Sequence, residues 1–116
     1  MTNRPLVIAH RGARKYAPEN SVPAFKKAFE MGLDGVEFDV MSSSDGVPVV
    51  VHDDNLTKLT NLHIHVHKTP HIDLNNIDIG GKFNPYFSGE IIPTLKEILE
   101  LFANTNMLLN IELKEI

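Results

Sequence analysis

Short continuous runs of apolar residues recur along the chain, and polar stretches separate them. Such runs are typical of strands that are buried on both faces. They occupy residues 6–9, 35–40, 47–51 and 107–113. In the second run Val36, Phe38 and Val40 share one face, because side chains alternate along a strand. The pattern predicts four strands.

Two other segments have the spacing of amphipathic helices. The first follows a cap at Asn20 or Ser21 and ends near Gly32. The second begins at Thr94, which forms the capping-box pattern with Glu97. Strands that alternate with helices indicate an α/β fold with parallel strands.

Residues 54–92 have the weakest periodicity and are rich in Asn, Asp, Gly and Pro. We interpret them as a loop-rich insertion within a single domain spanning residues 1–116. A length of 116 residues fits one domain.

Composition narrows the function classes. A formal charge of −4 excludes the basic field that nucleic acid or an anionic membrane requires. The chain has no cysteine, which excludes disulfides and thiolate metal sites. The apolar run 6–9 is too short for a signal peptide or a membrane span. We therefore expect a cytoplasmic protein with no membrane span.

Four of the six histidines lie close together: His63, His65, His67 and His71. On a strand, the first three would share one face in a row about 7 Å apart, and a row does not converge on one ion. We therefore expect the exposed face of a surface hairpin, and we assign no role to these histidines.

Polar residues follow or end each predicted strand. They are His10 and Arg11, Glu37 and Asp39, His52 and Asp53, and Glu112 and Lys114. Charged groups on buried strands are costly unless they are paired or bind a metal. The carboxyl ends of strands are also where α/β sheets and barrels place their sites. The arrangement predicts a functional site at the carboxyl ends of the strands.

The dipeptide Asp45-Gly46 is a strong signal for a two-residue hairpin turn. With that turn, His52 stands directly opposite Asp39 and shares its face. If the strands are instead parallel, as in a barrel, both residues end at the same rim. Either arrangement predicts that His52 lies near Glu37 and Asp39.

The residue types suggest a reaction. Three carboxylates, those of Glu37, Asp39 and Glu112, suit Mg²⁺ or Ca²⁺. Two histidines, His10 and His52, suit a general acid and base, and two cations, Arg11 and Lys114, suit an anion. Metal, cations and an acid–base pair together are what phosphoryl transfer requires.

Three stretches together resemble one known family. They read HRGARKYAPENS from residue 10, GVEFDVMSSSDGVPVVVHD from residue 35, and NIELK from residue 110. These motifs resemble the glycerophosphodiester phosphodiesterase family over almost the whole chain. The resemblance implies a TIM-like (β/α) barrel of the phospholipase-C-like phosphodiesterase type. It also implies hydrolysis of a glycerophosphodiester to glycerol 3-phosphate and an alcohol.

The resemblance implies a role for each matching residue. Glu37, Asp39 and Glu112 would bind Ca²⁺ or Mg²⁺, and His10 and His52 would be the acid–base pair. Arg11 and Lys114 would contact the phosphate. Glu19 and Asn20 would line the site, although Asn20 could instead cap the first helix.

The chain departs from the family pattern in two respects. Residues 57–60 and the histidine tract stand where the family usually has Asp-Arg-Thr-Thr and a Gly-rich turn, in the loop on the substrate side. A TIM barrel takes about 250 residues, whereas four strands make only its first half. We therefore expect a missing C-terminal half, a homodimer of two halves, or a truncated product.

Other functions compete with this interpretation. One is a non-catalytic fragment that keeps the metal site, and another is a related phospholipase resembling sphingomyelinase D. A histidine-rich metal-binding module is the least favoured.

Overall fold

The computed structural model describes residues 4–114. Its strands are β1 (Ile8–His10), β2 (Gly35–Ser42), β3 (Pro48–Val50) and β4 (Leu108–Leu113). Its helices are α1 (Val22–Glu30), α2 (Thr57–Thr60), α3 (His71–Leu74) and α4 (Leu95–Leu101). Two 3₁₀ turns cover Val66–Lys68 and Pro85–Phe87. All four predicted strands and both predicted helices are present.

β2 is the centre of the sheet. Glu37 pairs with His10 of β1 on one edge and with Asn110 of β4 on the other, and both neighbours run parallel to β2. β3 runs antiparallel beside the distal part of β2, where Val40 pairs with Val50. Of the two arrangements considered for β3, the hairpin is observed. The expectation of four barrel strands is therefore wrong for β3, and three strands run parallel.

The hairpin between β2 and β3 has a different register from the predicted one. Ser42 pairs with Pro48, and the Ser43 N–H donates to the Val47 carbonyl at 3.0 Å. This leaves a three-residue loop instead of a two-residue turn. Gly46 ends the loop at φ +84°, the left-handed residue that such loops require. The register therefore moves by one residue.

Caps define both longer helices. Ser21 is the N-cap of α1, and its hydroxyl accepts the Ala24 N–H at 3.3 Å. The alternative in which Asn20 caps this helix is therefore wrong. The capping box of Thr94 and Glu97 is confirmed, with both reciprocal hydrogen bonds present.

Two apolar cores lie on opposite faces of β2. The first packs α1 and α4 against the sheet through ten buried residues, including Phe25, Val36, Phe38, Val40 and Phe102. The second packs residues 54–92 against the hairpin, through Met41, Val49, Val51, Leu56, Val66, Leu74, Ile77, Ile79 and Ile92. The loop-rich segment is thus anchored by its own core, although its helices are short.

Two predicted strands are less buried than the apolar runs indicated. Leu6 and Val7 precede β1 and are exposed. Most of β4 is also exposed, including Leu108, Ile111 and Leu113. β4 pairs with β2 on one edge, and no strand within residues 4–114 pairs with its other edge. Apolar runs predict strands but do not show what covers them.

Candidate functional site: carboxylates and cations across three parallel strands

Strand register brings the candidate residues to one level of the sheet. His10 is the direct partner of Glu37, and Asp39 is the direct partner of Glu112. Glu37 and Asp39 alternate with the core residues Val36, Phe38 and Val40, so they occupy the face of β2 opposite the first core. β2 continues to Ser42, so Glu37 and Asp39 lie mid-strand and not at its end as expected. The hairpin extends β2 beyond the level of the site.

Three carboxylates converge across β2 and β4. Glu37, Asp39 and Glu112 each offer an oxygen within 4.8 Å of the others. The side chain of Asp39 is 1% exposed and that of Glu112 is 58% exposed, so the group extends from the buried interior to the protein surface. Among residues 4–114, Oε1 of Glu37 and Oδ2 of Asp39 are buried without a hydrogen-bond donor. Unpartnered buried carboxylate oxygens in an oxygen-only group are suited to a hard divalent cation.

Two cations flank the buried carboxylate. Arg11 Nε lies 3.7 Å from Asp39 Oδ2, and Lys114 Nζ lies 3.8 Å from Asp39 Oδ1. Lys114 also lies 3.5 Å from Glu112 Oε1. Removing a carboxylate from water is costly unless nearby opposite charges compensate it. The two cations supply that compensation for Asp39.

A left-handed turn after β1 directs Arg11 to Asp39. Arg11 and Gly12 have φ values of +58° and +78°. The Arg11 N–H donates to the Glu37 carbonyl at 2.7 Å, which ties the turn to β2. A Cβ at residue 12 would lie 2.9 Å from the Cβ of Ala24, so this position requires glycine both for its φ and for the close approach of α1.

Glu19 and Asn20 lie against the same turn. Glu19 accepts hydrogen bonds from Arg11 Nη1 at 3.3 Å and from Lys58 Nζ at 3.3 Å. The Asn20 N–H donates to the Arg11 carbonyl at 2.9 Å, and Asn20 has φ +55°. Its side-chain amide is buried and has no hydrogen-bond partner among residues 4–114. Sequence reasoning missed Lys58, because it lies in the segment that departs from the family pattern.

A cavity of about 250 Å³ opens beside Glu19. Its lining includes Arg14, Lys58, Lys82 and Phe83. Three cations and one carboxylate therefore face this space, next to the turn that carries Arg11.

The two candidate catalytic histidines have different surroundings. His10 Nε2 lies 3.7 Å from Glu37 Oε1, and its side chain is half exposed. His52 Nδ1 lies 2.7 Å from Asp53 Oδ1. No hydrogen bond or ion pair in the described part of the chain joins His52 to Glu37 or Asp39.

The predicted pairing of His52 with Asp39 is wrong. Val51 is the residue opposite Asp39, and its N–H donates to the Asp39 carbonyl at 3.0 Å. β3 ends at Val50, so the alternation of a strand no longer governs His52. Asp53, which follows it, is instead the residue that holds its ring, and sequence reasoning gave Asp53 no role.

The histidine tract is not an exposed strand face. His65 forms an isolated antiparallel β-bridge with Asn55, and a 3₁₀ turn follows at Val66–Lys68. The turn brings Nδ1 of His65 and Nδ1 of His67 to 2.9 and 2.7 Å from Asp54 Oδ2. His63 lies apart from this group, with Nδ1 3.1 Å from the hydroxyl of Thr57. The expected non-convergent row is therefore wrong for two of the three histidines.

Asp54 remains ionised in this arrangement. Burial raises the pKa of Asp54. The hydrogen bonds that Asp54 forms with the His67 N–H and with the rings of His65 and His67 lower it further than burial raises it, so the pKa is below its usual value. No local signal marks Asp54 as their partner, because eleven and thirteen residues separate it from the two histidines.

Within residues 4–114, each helix is too short or too polar to span a bilayer.

Comparison with known proteins gives consistent matches. The profile of the Glycerophosphoryl diester phosphodiesterase family matches residues 10–116. A glycerophosphodiester phosphodiesterase of Caldanaerobacter subterraneus is 45% identical over 96% of this chain and 46% of its own length. A putative glycerophosphodiester phosphodiesterase of Bacillus subtilis is 43% identical over 93% of this chain and 44% of its own length.

Solved structures give the same result. A phosphodiesterase of Oleispira antarctica, in complex with the product sn-glycerol-3-phosphate, superposes with a TM-score of 0.90 at 43% identity. The match covers 95% of this chain and 44% of that one. A glycerophosphodiester phosphodiesterase of Agrobacterium tumefaciens has a TM-score of 0.90 at 37% identity, over 97% of this chain and 48% of its own. The predicted fold class, part of a TIM-like α/β barrel, is confirmed by these neighbours.

Proposed function

Because the chain belongs to the glycerophosphoryl diester phosphodiesterase family, we propose that it supplies the catalytic residues for hydrolysis of a glycerophosphodiester to glycerol 3-phosphate and an alcohol. The observation that carries the proposal is the buried carboxylate of Asp39, held between Arg11 and Lys114 and joined to Glu37 and Glu112. The chain spans about half the length of the curated relatives it matches.

The names of the similar proteins support the substrate class. The relatives of Caldanaerobacter and Agrobacterium are called glycerophosphodiester phosphodiesterases. The structure from Oleispira holds sn-glycerol-3-phosphate, which is the product this proposal requires.

Glu37, Asp39 and Glu112 would hold a divalent cation, Ca²⁺ or Mg²⁺. The donor set fits, because it consists only of carboxylate oxygens and two of them are buried without a donor. When bound, such an ion polarises phosphoryl oxygens and offsets the charge that develops on them.

The cations and polar groups would position the phosphate. Arg11 presents a planar guanidinium, which suits phosphate oxygens, and Lys114 adds a point charge beside it. Glu19 orients Arg11 through its hydrogen bond, and the free amide of Asn20 would line the same site.

Two histidines would move the protons. One takes the proton from the attacking hydroxyl, which belongs to water or to the glycerol itself. Attack by the glycerol hydroxyl would form a cyclic phosphate, which water would then open to glycerol 3-phosphate. The other gives a proton to the leaving alkoxide, so that no free alkoxide forms. His10 stands beside Glu37, and His52 is held by Asp53, which keeps a proton on the Nδ1 that faces Asp53. Nε2 is then the ring nitrogen that would accept a proton.

The proposal extends to partners and location. The exposed apolar residues of β4 need a covering surface, and either a C-terminal half or a second copy of the chain would supply it. A cytoplasmic location stays a prediction from composition. A non-catalytic fragment that keeps the metal site is the alternative.

The test is hydrolysis of glycerophosphocholine by the 116-residue chain with Ca²⁺ or Mg²⁺ and with EDTA, alongside its mass by light scattering. We expect EDTA-sensitive turnover that Asp39→Asn abolishes. Glu100→Gln removes a carboxylate that is 66% exposed on α4, and should leave turnover unchanged. Turnover that survives both EDTA and Asp39→Asn would contradict the proposal.

The mass measured by light scattering shows whether the chain that is assayed is a monomer or a dimer. Turnover from a dimer would indicate that two copies complete one site. An inactive monomer that still binds Ca²⁺ in calorimetry would favour the non-catalytic alternative, which keeps the metal site.

A further inference from the structure

A second group of metal-ligating side chains lies apart from the carboxylates. One oxygen of Asp54 and one nitrogen each of His65 and His67 lie within 4.8 Å of one another. Both Nδ1 atoms approach the same oxygen, Oδ2, at 2.9 and 2.7 Å. None of the three residues contacts Glu37, Asp39 or Glu112 through a hydrogen bond or ion pair in the described part of the chain.

The backbone holds this group in place before any ligand arrives. The Val66 N–H donates to the Asp54 carbonyl at 2.9 Å, and the His67 N–H donates to Asp54 Oδ1 at 2.8 Å. The Thr69 hydroxyl donates a hydrogen bond to the His65 carbonyl at 2.7 Å. Val66 lies between the two histidines and is fully buried in the second core. The backbone therefore holds Asp54 against the turn that carries His65 and His67.

We propose that Asp54, His65 and His67 bind Zn²⁺, as a metal site separate from that of the proposed phosphodiesterase centre. Two imidazoles and one carboxylate form a three-ligand set of the type that zinc accepts, with water completing the tetrahedron. This set is less suited to Mg²⁺ or Ca²⁺, which prefer oxygen ligands.

The spacing requires only a small adjustment. Ligand atoms in tetrahedral zinc sites lie about 3.3 Å apart, given bonds of about 2.0–2.1 Å. The present separations of 2.7 and 2.9 Å from Asp54 Oδ2 are those of hydrogen bonds. Side-chain rotations of half an ångström or so would open space for the ion. Each imidazole would bind the ion through Nδ1 and carry its proton on Nε2.

The site would join two separate parts of the chain. Asp54 is the first residue of the insertion and follows the end of β3 by four residues, whereas His65 and His67 lie eleven and thirteen residues further along the chain. An ion bound by all three would therefore close the loop of residues 55–64 and stabilise it. Asp53, which holds His52, directly precedes Asp54, so this loop closure lies next to the proposed catalytic histidine.

The test is calorimetric titration of the chain with Zn²⁺ in excess Mg²⁺, which would occupy the proposed carboxylate site. We expect one zinc per chain in the wild type. His65→Gln and His67→Gln should each weaken zinc binding by at least about tenfold. Loss of a residue that only hydrogen-bonds to a metal ligand already lowers metal affinity by about that factor. His63→Gln is the matched control, since His63 lies in the same tract but contacts Thr57, and it should bind zinc as the wild type does.

Two further readouts separate this site from others. Co²⁺ should give the intense visible absorption of a tetrahedral site in the wild type and in Asp39→Asn, but not in His67→Gln. Zn²⁺ should also raise the thermal unfolding temperature of the wild type and not that of His67→Gln. Circular dichroism of each variant confirms folding.

The proposal fails if His65→Gln and His67→Gln bind zinc as tightly as His63→Gln. It fails equally if all zinc binding is lost in Asp39→Asn, because the ion would then lie at the carboxylate site. Failure of either kind leaves the phosphodiesterase proposal intact, since that is tested by turnover of the Asp39→Asn chain.

Discussion

Asp39 and Glu112 are direct partners across the parallel ladder between β2 and β4, so the two carboxylates stand side by side on one face of the sheet. Asp39 is buried and Glu112 is exposed. Glu37 precedes Asp39 by two residues and adds a third oxygen to the same group. A site of this kind depends on two strands that are distant in sequence.

The first prediction concerns the three carboxylates. Glu37→Gln, Asp39→Asn and Glu112→Gln should each weaken Ca²⁺ or Mg²⁺ binding by at least about tenfold, because each removes a charged oxygen ligand. Isothermal calorimetry measures the change. Glu100→Gln is the control of equal charge change. Unchanged affinity in both Glu37→Gln and Asp39→Asn would exclude this ligand set.

The second prediction concerns the histidines. His10→Ala and His52→Ala should each lower turnover of glycerophosphocholine by about 10²–10⁴-fold, the usual contribution of general acid–base catalysis. Metal affinity should change little, because neither residue belongs to the carboxylate group. His63→Ala serves as the control. Loss of turnover together with loss of metal binding would instead indicate that these histidines support the structure.

The third prediction concerns the ion pair between Arg4 and Asp34, the residue just before β2. Arg4 donates to both oxygens of Asp34, at 2.6 and 2.9 Å, and the Val7 N–H donates to Oδ2 at 2.7 Å. These hydrogen bonds, first from Arg4 and then from Val7, lower the pKa of Asp34 from 3.8 to about 2.

A pKa that is lower in the folded chain stabilises that chain above the unfolded value. The contribution of Asp34 is therefore complete above pH 3.8 and is lost as the pH falls through about 2. Asp34→Asn should flatten the pH dependence of urea unfolding in this window. Asp73→Asn, at an exposed position of α3, is the control and should keep the wild-type dependence.

The fourth prediction concerns the first core. Phe25 is fully buried, and its ring packs edge-on against Phe38 at 5.4 Å and Phe102 at 6.4 Å between centroids. Phe25→Ala should lower the free energy of unfolding by about 3–5 kcal/mol, because it leaves a cavity.

Phe29 is the matched control for this measurement. It lies on the same helix and is 52% exposed, so Phe29→Ala should change the free energy of unfolding by no more than about 0.5 kcal/mol. Equal losses in the two variants, measured by urea unfolding, would contradict the assignment of Phe25 to the core.

Local sequence signals predicted the elements well. The capping box at Thr94 and Glu97 marks the start of α4, and the apolar runs mark all four strands, because caps and side-chain periods act over a few residues. The hairpin turn was located correctly, but its loop length was not. Asp45-Gly46 suits both two-residue and three-residue loops, and a change of one residue alters every pair in the register.

The sequence by itself determined which residue types stand on β1, β2 and β4, and that Glu37 and Asp39 share a face, because the alternation of a strand is local. Only the tertiary structure decided that Asp39 is buried between Arg11 and Lys114. It also decided that two histidines of the tract turn towards Asp54 and that Lys58 reaches Glu19. These contacts join residues that are far apart along the chain, and their geometry depends on how the strands and loops pack rather than on any local pattern.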